Sequence, residues 1–371
     1  MATPTVFADR SLLDPEAIPP VFDHRDADCE AVQTILSPAL WGSGPATALI
    51  AGPPGAGKRT IVAVVTARAD PPGGRPGPTL VPLTCGPDTT AYDLAIAATN
   101  TLVGDEVLAS SGYTREAAFG RLHDRIARSP APPVVRLDGV ERLAPAELDG
   151  FLARLLDTTA ACGVVGIADD PTARDALGRG VLERFHGEIS VEAYDAATER
   201  AILAERAERA FRAGACPDAT VDRALDRADR GLGTAIELLD SAGERADAAG
   251  SETVEPDHVD AASRTVREQR LRDRIADRSR HERLALAAAL DGDGPQRFAE
   301  LYASYRDRCA AAGVEPNRKR SVHNYLDALV TNELLTAERR RSPDAGAHFA
   351  YQVRADHDIL RQSLAAHEDT Q

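Results

Sequence analysis

The apolar residues in the first half of the chain follow two alternating patterns. Short continuous runs, "ATALIAG" (46–52), "TLVPLTC" (79–85), "PPVVRLDGV" (132–140) and "CGVVGIADD" (162–170), have the length and composition of buried strands. Between them lie stretches with helical spacing: "RDADCEAVQTILSPALWG" (25–42), "TIVAVVTARA" (60–69), "YDLAIAATNTLV" (92–103) and "REAAFGRLHDRIARS" (115–129). The turn-rich run "DPPGGRPGP" (70–78) breaks the pattern after the second of these. Such alternation predicts an α/β unit, a parallel sheet with helices on both faces, whose ligand lies at the carboxyl ends of the strands. An irregular arm to about residue 23 precedes it.

From Ala196 to about Arg264 the strand signal disappears, and helical patterns such as "TERAILAERAERAFRAG" and "TAIELLDSAGERADAA" predict a separate helical lid. The charged stretch "SRTVREQRLRDRIADRSRHERL" reads as a solvated connecting helix laced with i,i+4 pairs. Beyond it come three helices, "HERLALAAAL", "FAELYASYRDRCAAAG" and "KRSVHNYLDALVTNEL", then two strands, "LLTAERRR" and "AHFAYQVRA", joined by the turn residues of "SPDAG". This is the outline of a winged helix. The expected division is therefore residues 1–195 for the sheet domain with its arm, 196–263 for the lid, and 264–371 for the linker helix and winged helix.

Size and charge refine this picture. The 371 residues suffice for two or three cores, and the net charge is −15. Residues 260–371 hold 19 basic and 18 acidic side chains, net +1, so the acidity belongs to the rest of the chain. Lys58 and Lys319 are the only lysines; all other strong bases are arginine. The composition resembles cytoplasmic proteins of salt-loving archaea, although a GC-rich genome accounts for the arginine bias too. In concentrated salt the Debye length falls to roughly 3 Å or below, so a negative total does not exclude a nucleic-acid partner. Cys29, Cys85, Cys162, Cys216 and Cys309 are far apart with no C-x-x-C pair, which points away from a disulfide scaffold or a zinc site. No apolar run approaches a membrane span and no secretory signal is visible, so a cytoplasmic protein without membrane contact is expected, nucleoid-associated if the winged helix binds DNA.

The strongest chemical signal is "LIAGPPGAGKRTIVAVV", in which Gly52, Gly57 and Lys58 stand at the spacing of a P-loop after a buried strand and before a helix. Its glycines free backbone N–H groups to wrap phosphates, and the lysine reaches the terminal ones. Gly52, Pro53, Pro54, Gly55, Ala56, Gly57, Lys58, Arg59 and Thr60 are the nucleotide-binding candidates, for ATP or ADP. Arg59 stands where a metal-ligating Ser or Thr is expected, and Thr60 is one helical step, roughly 100°, out of place. Two readings of Arg59 stay open: it projects into solvent, or it occupies the metal's place with a fixed charge. In "VVRLDGVERL", Asp138 fits the strand-end acid that holds Mg2+ through water, but Gly139 follows where the general-base glutamate is expected. Glu141, two residues on, is expected to point elsewhere.

Order and spacing resemble the archaeal origin-recognition and cell-division-control initiators, AAA+ proteins related to the origin recognition complex. "ISVEAYDAATERAILAERAERAF" is similar to the family's phenylalanine-Pro-Tyr-x-Ala passage opening the lid, "AIELLDSAGERA" to its lid helix and "DHVDAA" to its exit, with the winged helix completing the likeness. The resemblance implies an asparagine sensor where "GIADD" has Asp169, and a lid arginine where "GLGTAIELL" has Gly233. It makes Arg179 and Arg184 candidates for reaching a neighbour's nucleotide. Arg59, Gly139, Asp169 and Gly233 depart together, which implies a divergent paralogue with weak or absent hydrolysis.

In the third helix of the winged helix, Val322, Tyr325, Leu326, Leu329 and Val330 form the apolar stripe, leaving Lys319, Arg320, His323, Asn324 and Asp327 outward. Arg318, Lys319, Arg320, His323 and Asn324 are the candidates for the major groove, and Arg339, Arg340 and Arg341 for phosphates or the minor groove beside the wing. The expected function is origin recognition on double-stranded DNA, with the replicative helicase and initiator paralogues as partners. A nucleotide-insensitive DNA-binding regulator acting at promoters, and a signalling ATPase with a protein-binding winged helix, are the alternatives.

Overall fold

The computed structural model describes residues 5–368 except 20, 23, 72, 75, 103–107, 110, 158–160, 170, 171, 173–175, 230, 277, 293, 333, 343–345 and 355. The chain forms two compact units, Met1–Ser263 and Arg264–Gln371.

The first unit is built on β1 (Ala46–Ala51), β2 (Thr79–Thr84), β3 (Pro133–Asp138), β4 (Gly163–Ala168) and β5 (Gly187–Ser190). All pairings are parallel, in the order β2-β3-β4-β1-β5. The helices are α1 (Asp26–Leu40), α2 (Lys58–Arg68), α3 (Ala91–Leu102), α4 (Arg115–Arg128), α5 (Pro145–Leu156) and the short α6 (Arg179–Leu182). Strand residues alternate between two cores, as parallel strands buried on both faces must. Leu49, Val135, Leu137 and Val164 pack with α3, α4 and α5, whereas Ala48, Ile50, Val134 and Val165 pack with α1 and α2. The strand β5 and the helix α5 were not foreseen. The burial pattern of β5 alternates between half-buried and exposed, so the edge strand lacks the apolar run that marks the other four.

The amino ends of α3, α4 and α5 are tied together by one carboxylate. Glu147 Oε2 accepts from the backbone N–H of Ala91 at 2.7 Å and from Arg115 Nη2 at 3.0 Å. It thereby satisfies an orphan donor of another helix. The Ala91 hydrogen bond holds the Glu147 carboxyl below its ordinary range, with Arg115 adding to it. A depressed carboxyl stabilises the fold above its unfolded titration range, and that stability disappears as pH falls through the folded value. Glu147→Gln is therefore expected to cost about 1 kcal/mol at neutral pH and nothing in acid, measured by thermal melts across pH.

The lid comprises α7 (Ala196–Ala210), α8 (Asp218–Arg227), α9 (Leu232–Ala249) and the start of α10 (Pro256–Ala276). The N-terminal arm, expected with the sheet, is bonded along these helices. Phe7 stacks on Phe211 at 5.1 Å and bridges to it, Arg10 pairs with Asp240, and the buried Arg206 donates to the carbonyls of Leu12, Asp14 and Ala17. A Cβ on Gly243 would stand 2.3 Å from the Phe7 ring, so this glycine lets the arm lie against α9.

The second unit contains α11 (Arg280–Leu290), β6 (Gln296–Arg297), α12 (Phe298–Ala311), α13 (Lys319–Thr331), β7 (Leu335–Ser342), β8 (Gly346–Val353) and α14 (His357–Glu368). The sheet is antiparallel, ordered β6-β8-β7. The charged stretch is not one helix, because α10 ends at Ala276 and Ser279 starts α11 with a capping box to Glu282. Leu271 and Ile275 from the end of α10 join Leu286, Leu301, Tyr305, Val322, Leu326 and Leu329 in one core. The expected turn at Pro343 and Asp344 lies outside the described residues. Among the described residues no helix is long and apolar enough to cross a membrane.

Candidate nucleotide crevice and nucleic-acid interface

The sheet order puts β3, β4 and β1 side by side in the middle of the sheet, so their carboxyl ends deliver Asp138, Asp169 and the P-loop to the same place. In the loop, Gly57 has φ +85° as it opens α2, and a Cβ there would stand 2.8 Å from the Tyr194 hydroxyl. Only glycine fits both conditions. Gly231, at the head of lid helix α9, rests against Pro54, which brings the lid onto the loop; Gly233, two residues on, lies in the first turn of that helix.

Lys58 is buried, and its Nζ donates to the carbonyls of Gly52 at 2.8 Å and Pro53 at 2.7 Å. It also pairs with Asp169 Oδ1 at 3.0 Å. Burial pushes the Lys58 ammonium below its ordinary value, and Asp169 pulls it back. Asp169, at the position where the resemblance implies an asparagine, thus pairs with the lysine that was expected to reach phosphate. Glu141, expected to point elsewhere, is half-buried and accepts from the backbone N–H of Asp169 at 3.3 Å. A three-residue 3-10 turn, Val140–Arg142, after Gly139 returns it towards the end of β4.

The contacts of Arg59 carry features of both readings. Half of its side chain is exposed, yet its Nε lies 3.3 Å from Asp138 Oδ2 and its Nη1 3.6 Å from Glu16 Oε1. Sequence reasoning missed Arg136, which is 2 % exposed in the middle of β3. Its Nε and Nη2 donate to Asp138 Oδ2 at 3.2 and 3.0 Å, and Nη2 also reaches Glu16 Oε2 at 2.7 Å. The signal was present: an arginine two residues before Asp138 on a strand must share its face. Burial is the largest influence on the Asp138 carboxyl and pushes it up, against the pull of Arg136 and then Arg59. Thr60 is half-buried one step further into α2. Arg179 and Arg184 line an open groove of about 800 Å³ with Pro145 and Leu177, where Arg179 pairs with Glu183 and Arg184 with Asp149.

In the second unit, Arg318, Lys319, Arg320, His323 and Asn324 are all exposed at the start of α13. Two of them are braced by aromatics: His323 stacks on Phe298 with centroids 3.6 Å apart, and Lys319 Nζ lies 5.7 Å from the Tyr302 ring. Arg339, Arg340 and Arg341 are exposed on β7, and Arg340 is paired with Glu338. Arg339 faces Phe349 across the ladder, and that ring is 54 % exposed.

A family model described as "Cdc6 AAA+ ATPase-type lid domain" matches residues 200–264, and one described as "CDC6, C terminal winged helix domain" matches residues 273–363. The ORC1-type DNA replication protein 6 of Halobacterium salinarum is 31% identical over 325 residues, covering 82% of this chain and 83% of that protein. The chain belongs to the ORC1-type DNA replication proteins.

As an ORC1-type replication initiator it carries the AAA+ sheet, lid and winged helix in that order. The structure of the Aeropyrum pernix ORC1 protein in complex with DNA has a TM-score of 0.75 over 97% of both chains at 24% identity. The Aeropyrum pernix ORC2 protein in ADPNP-ADP complexes has a TM-score of 0.56 over 98% of both at 20% identity. At such identities the likeness bears on the fold alone.

The place where the P-loop pattern would put Mg2+ is poor in free oxygen donors in this chain. A hard cation wants oxygen ligands. Position 59 offers a guanidinium instead of a hydroxyl, and Asp138 Oδ2 already accepts from Arg136 with Arg59 beside it. No group of three or more potential metal-ligating side chains occurs among the described residues.

Proposed function

We propose that this ORC1-type protein recognises origin DNA through its winged helix and binds ATP or ADP at the P-loop, with hydrolysis weak or lost. The single observation that carries the DNA reading is the exposed, aromatic-braced basic head of α13, together with the arginine run of β7 in the same unit. Side chains of this kind fix a duplex through its phosphates and read base edges in the major groove. The nucleotide reading is supported by the positive-φ loop and by Lys58 at its end. Weak hydrolysis follows from Arg59, Gly139, Asp169 and Gly233, which leave no hydroxyl ligand and no water-orienting glutamate beside Asp138. Recruitment of the replicative helicase by the DNA-bound protein, with initiator paralogues supplying hydrolysis in a mixed complex, completes the proposal.

A second reading, a nucleotide-insensitive regulator, is favoured by one observation, the internal pair between Lys58 and Asp169. Footprinting with and without ATP separates the two. For the winged helix, Arg340→Ala with Arg341→Ala is expected to weaken duplex binding and to reduce the slope of log K against log salt by about 2, near 0.9 for each phosphate that is no longer neutralised. Unchanged affinity and slope in a fluorescence anisotropy titration would remove the wing from the DNA interface.

A further inference from the structure

Arg136 is an anomaly in the central sheet. Parallel strands buried on both faces are apolar, and β3 otherwise reads Pro-Val-Val and Leu around it. On its own face the neighbours along the strand are Val134, in the core under α1 and α2, and Asp138 at the carboxyl end. The buried Arg136 guanidinium therefore lies on the α1/α2 side of the sheet, against Asp138 at the carboxyl end of β3. Its Nη1 is buried without a hydrogen-bond partner, and so is Asp138 Oδ1 next to it. A buried guanidinium N–H left unpartnered is a donor that an anionic oxygen would complete, whereas the carboxylate oxygen beside it calls for a donor such as water.

Around this pair the charges are already arranged. Arg59 enters from the head of α2 and Arg136 from β3, both onto Asp138 Oδ2, and Glu16 of the arm bridges the two arginines. The arm holds Glu16 there by a local turn, with the Glu16 N–H donating to Asp14 Oδ1 at 2.9 Å, and by the three carbonyl contacts to Arg206. A divalent ion at Asp138 would sit against two fixed positive charges. A phosphate oxygen would instead compete with Asp138 and Glu16 for the two guanidinium groups, whose forks match phosphate as well as carboxylate.

We propose that Arg59 and Arg136 stand in for the divalent cation, so that this site takes a nucleoside di- or triphosphate without Mg2+, with Glu16 as the carboxylate that holds the arginines in place. The proposal rests on the reading that the P-loop binds nucleotide. It differs from a merely degenerate site in assigning a positive role to Arg59: the substituted residue supplies the charge that the metal would have brought.

The test uses the full-length protein and fluorescent ADP and ATP analogues, titrated in excess Mg2+ and in excess EDTA. Affinities equal within about threefold in the two conditions are expected, together with no nucleotide-dependent Mn2+ signal in electron paramagnetic resonance. Arg59→Thr, at a half-exposed position that leaves the core intact, is expected to lose tenfold or more in EDTA and to recover part of it with Mg2+. Weakening of the wild-type protein beyond threefold on chelation, or Arg59→Thr binding as wild type in EDTA, overturns the proposal while leaving nucleotide binding in place. Absence of wild-type binding in both conditions removes the nucleotide reading and this proposal with it. Lys58→Ala, expected to bind in neither condition, confirms that the signal comes from the P-loop.

Discussion

Arg136→Ala is expected to destabilise the first unit by about 3–5 kcal/mol, the usual cost of removing one partner from a buried ion pair. For a unit of this size that corresponds to a fall in melting temperature on the order of 10 °C in calorimetry. The reason is the charge left behind. Asp138 is 6 % exposed and would keep only its pairing with half-exposed Arg59, while Glu16 would be deprived of its 2.7 Å partner and the arm of a point of attachment. The control is a double-mutant cycle. In an Asp138→Asn background the same alanine substitution is expected to cost about 1–2 kcal/mol less, because no ionised carboxylate remains to be stranded. Equal costs in both backgrounds would mean that Arg136 stabilises the sheet by filling volume under α2 and not through its charge. Arg136→Leu separates the two contributions further, since it keeps most of the volume and none of the charge.

The fold was legible where burial writes a periodic signal, and the site was legible where a loop has fixed spacing. Three strands, β1, β3 and β4, appear as mostly apolar runs because both their faces are covered, and the P-loop appears because its glycines and lysine keep a set distance. The edge strand β5 and the break between α10 and α11 were hidden, the first by its half-exposed alternation and the second inside a run of charges. The harder omission was the partnership between residues far apart in sequence. Glu16 and Arg136 are 120 positions apart and meet only because the arm returns along α7 to the sheet. No local pattern announces such a meeting. Arg136 itself could have been singled out, since a charge amid a buried strand needs a partner and the nearest acid on its face is Asp138. The same holds for Asp169, which was expected to repel phosphate and is found on Lys58.

Asp169→Asn is expected to tighten ATP and ADP binding by about tenfold. In the present arrangement nucleotide must take Lys58 away from a carboxylate 3.0 Å distant before its own phosphates can pair with the ammonium. Hydrogen bonds to charged groups are worth about 1.5–3 kcal/mol, and the lower end applies because Asp169 is 36 % exposed and partly screened by solvent. That lower figure is about a tenfold change in affinity. Asparagine keeps the shape, can still accept from the ammonium, and brings no negative charge near the terminal phosphate. It is also the residue that the family resemblance assigns to this position. Two features make the outcome diagnostic. The gain is expected to shrink as salt is raised, as for any exposed electrostatic competition. It is also expected to be larger for ATP than for ADP if Asp169 faces the terminal phosphate, and equal for both if Asp169 acts only by occupying Lys58. Unchanged or weakened binding of both nucleotides by Asp169→Asn would mean that the carboxylate holds the lysine in position for phosphate instead of competing with it.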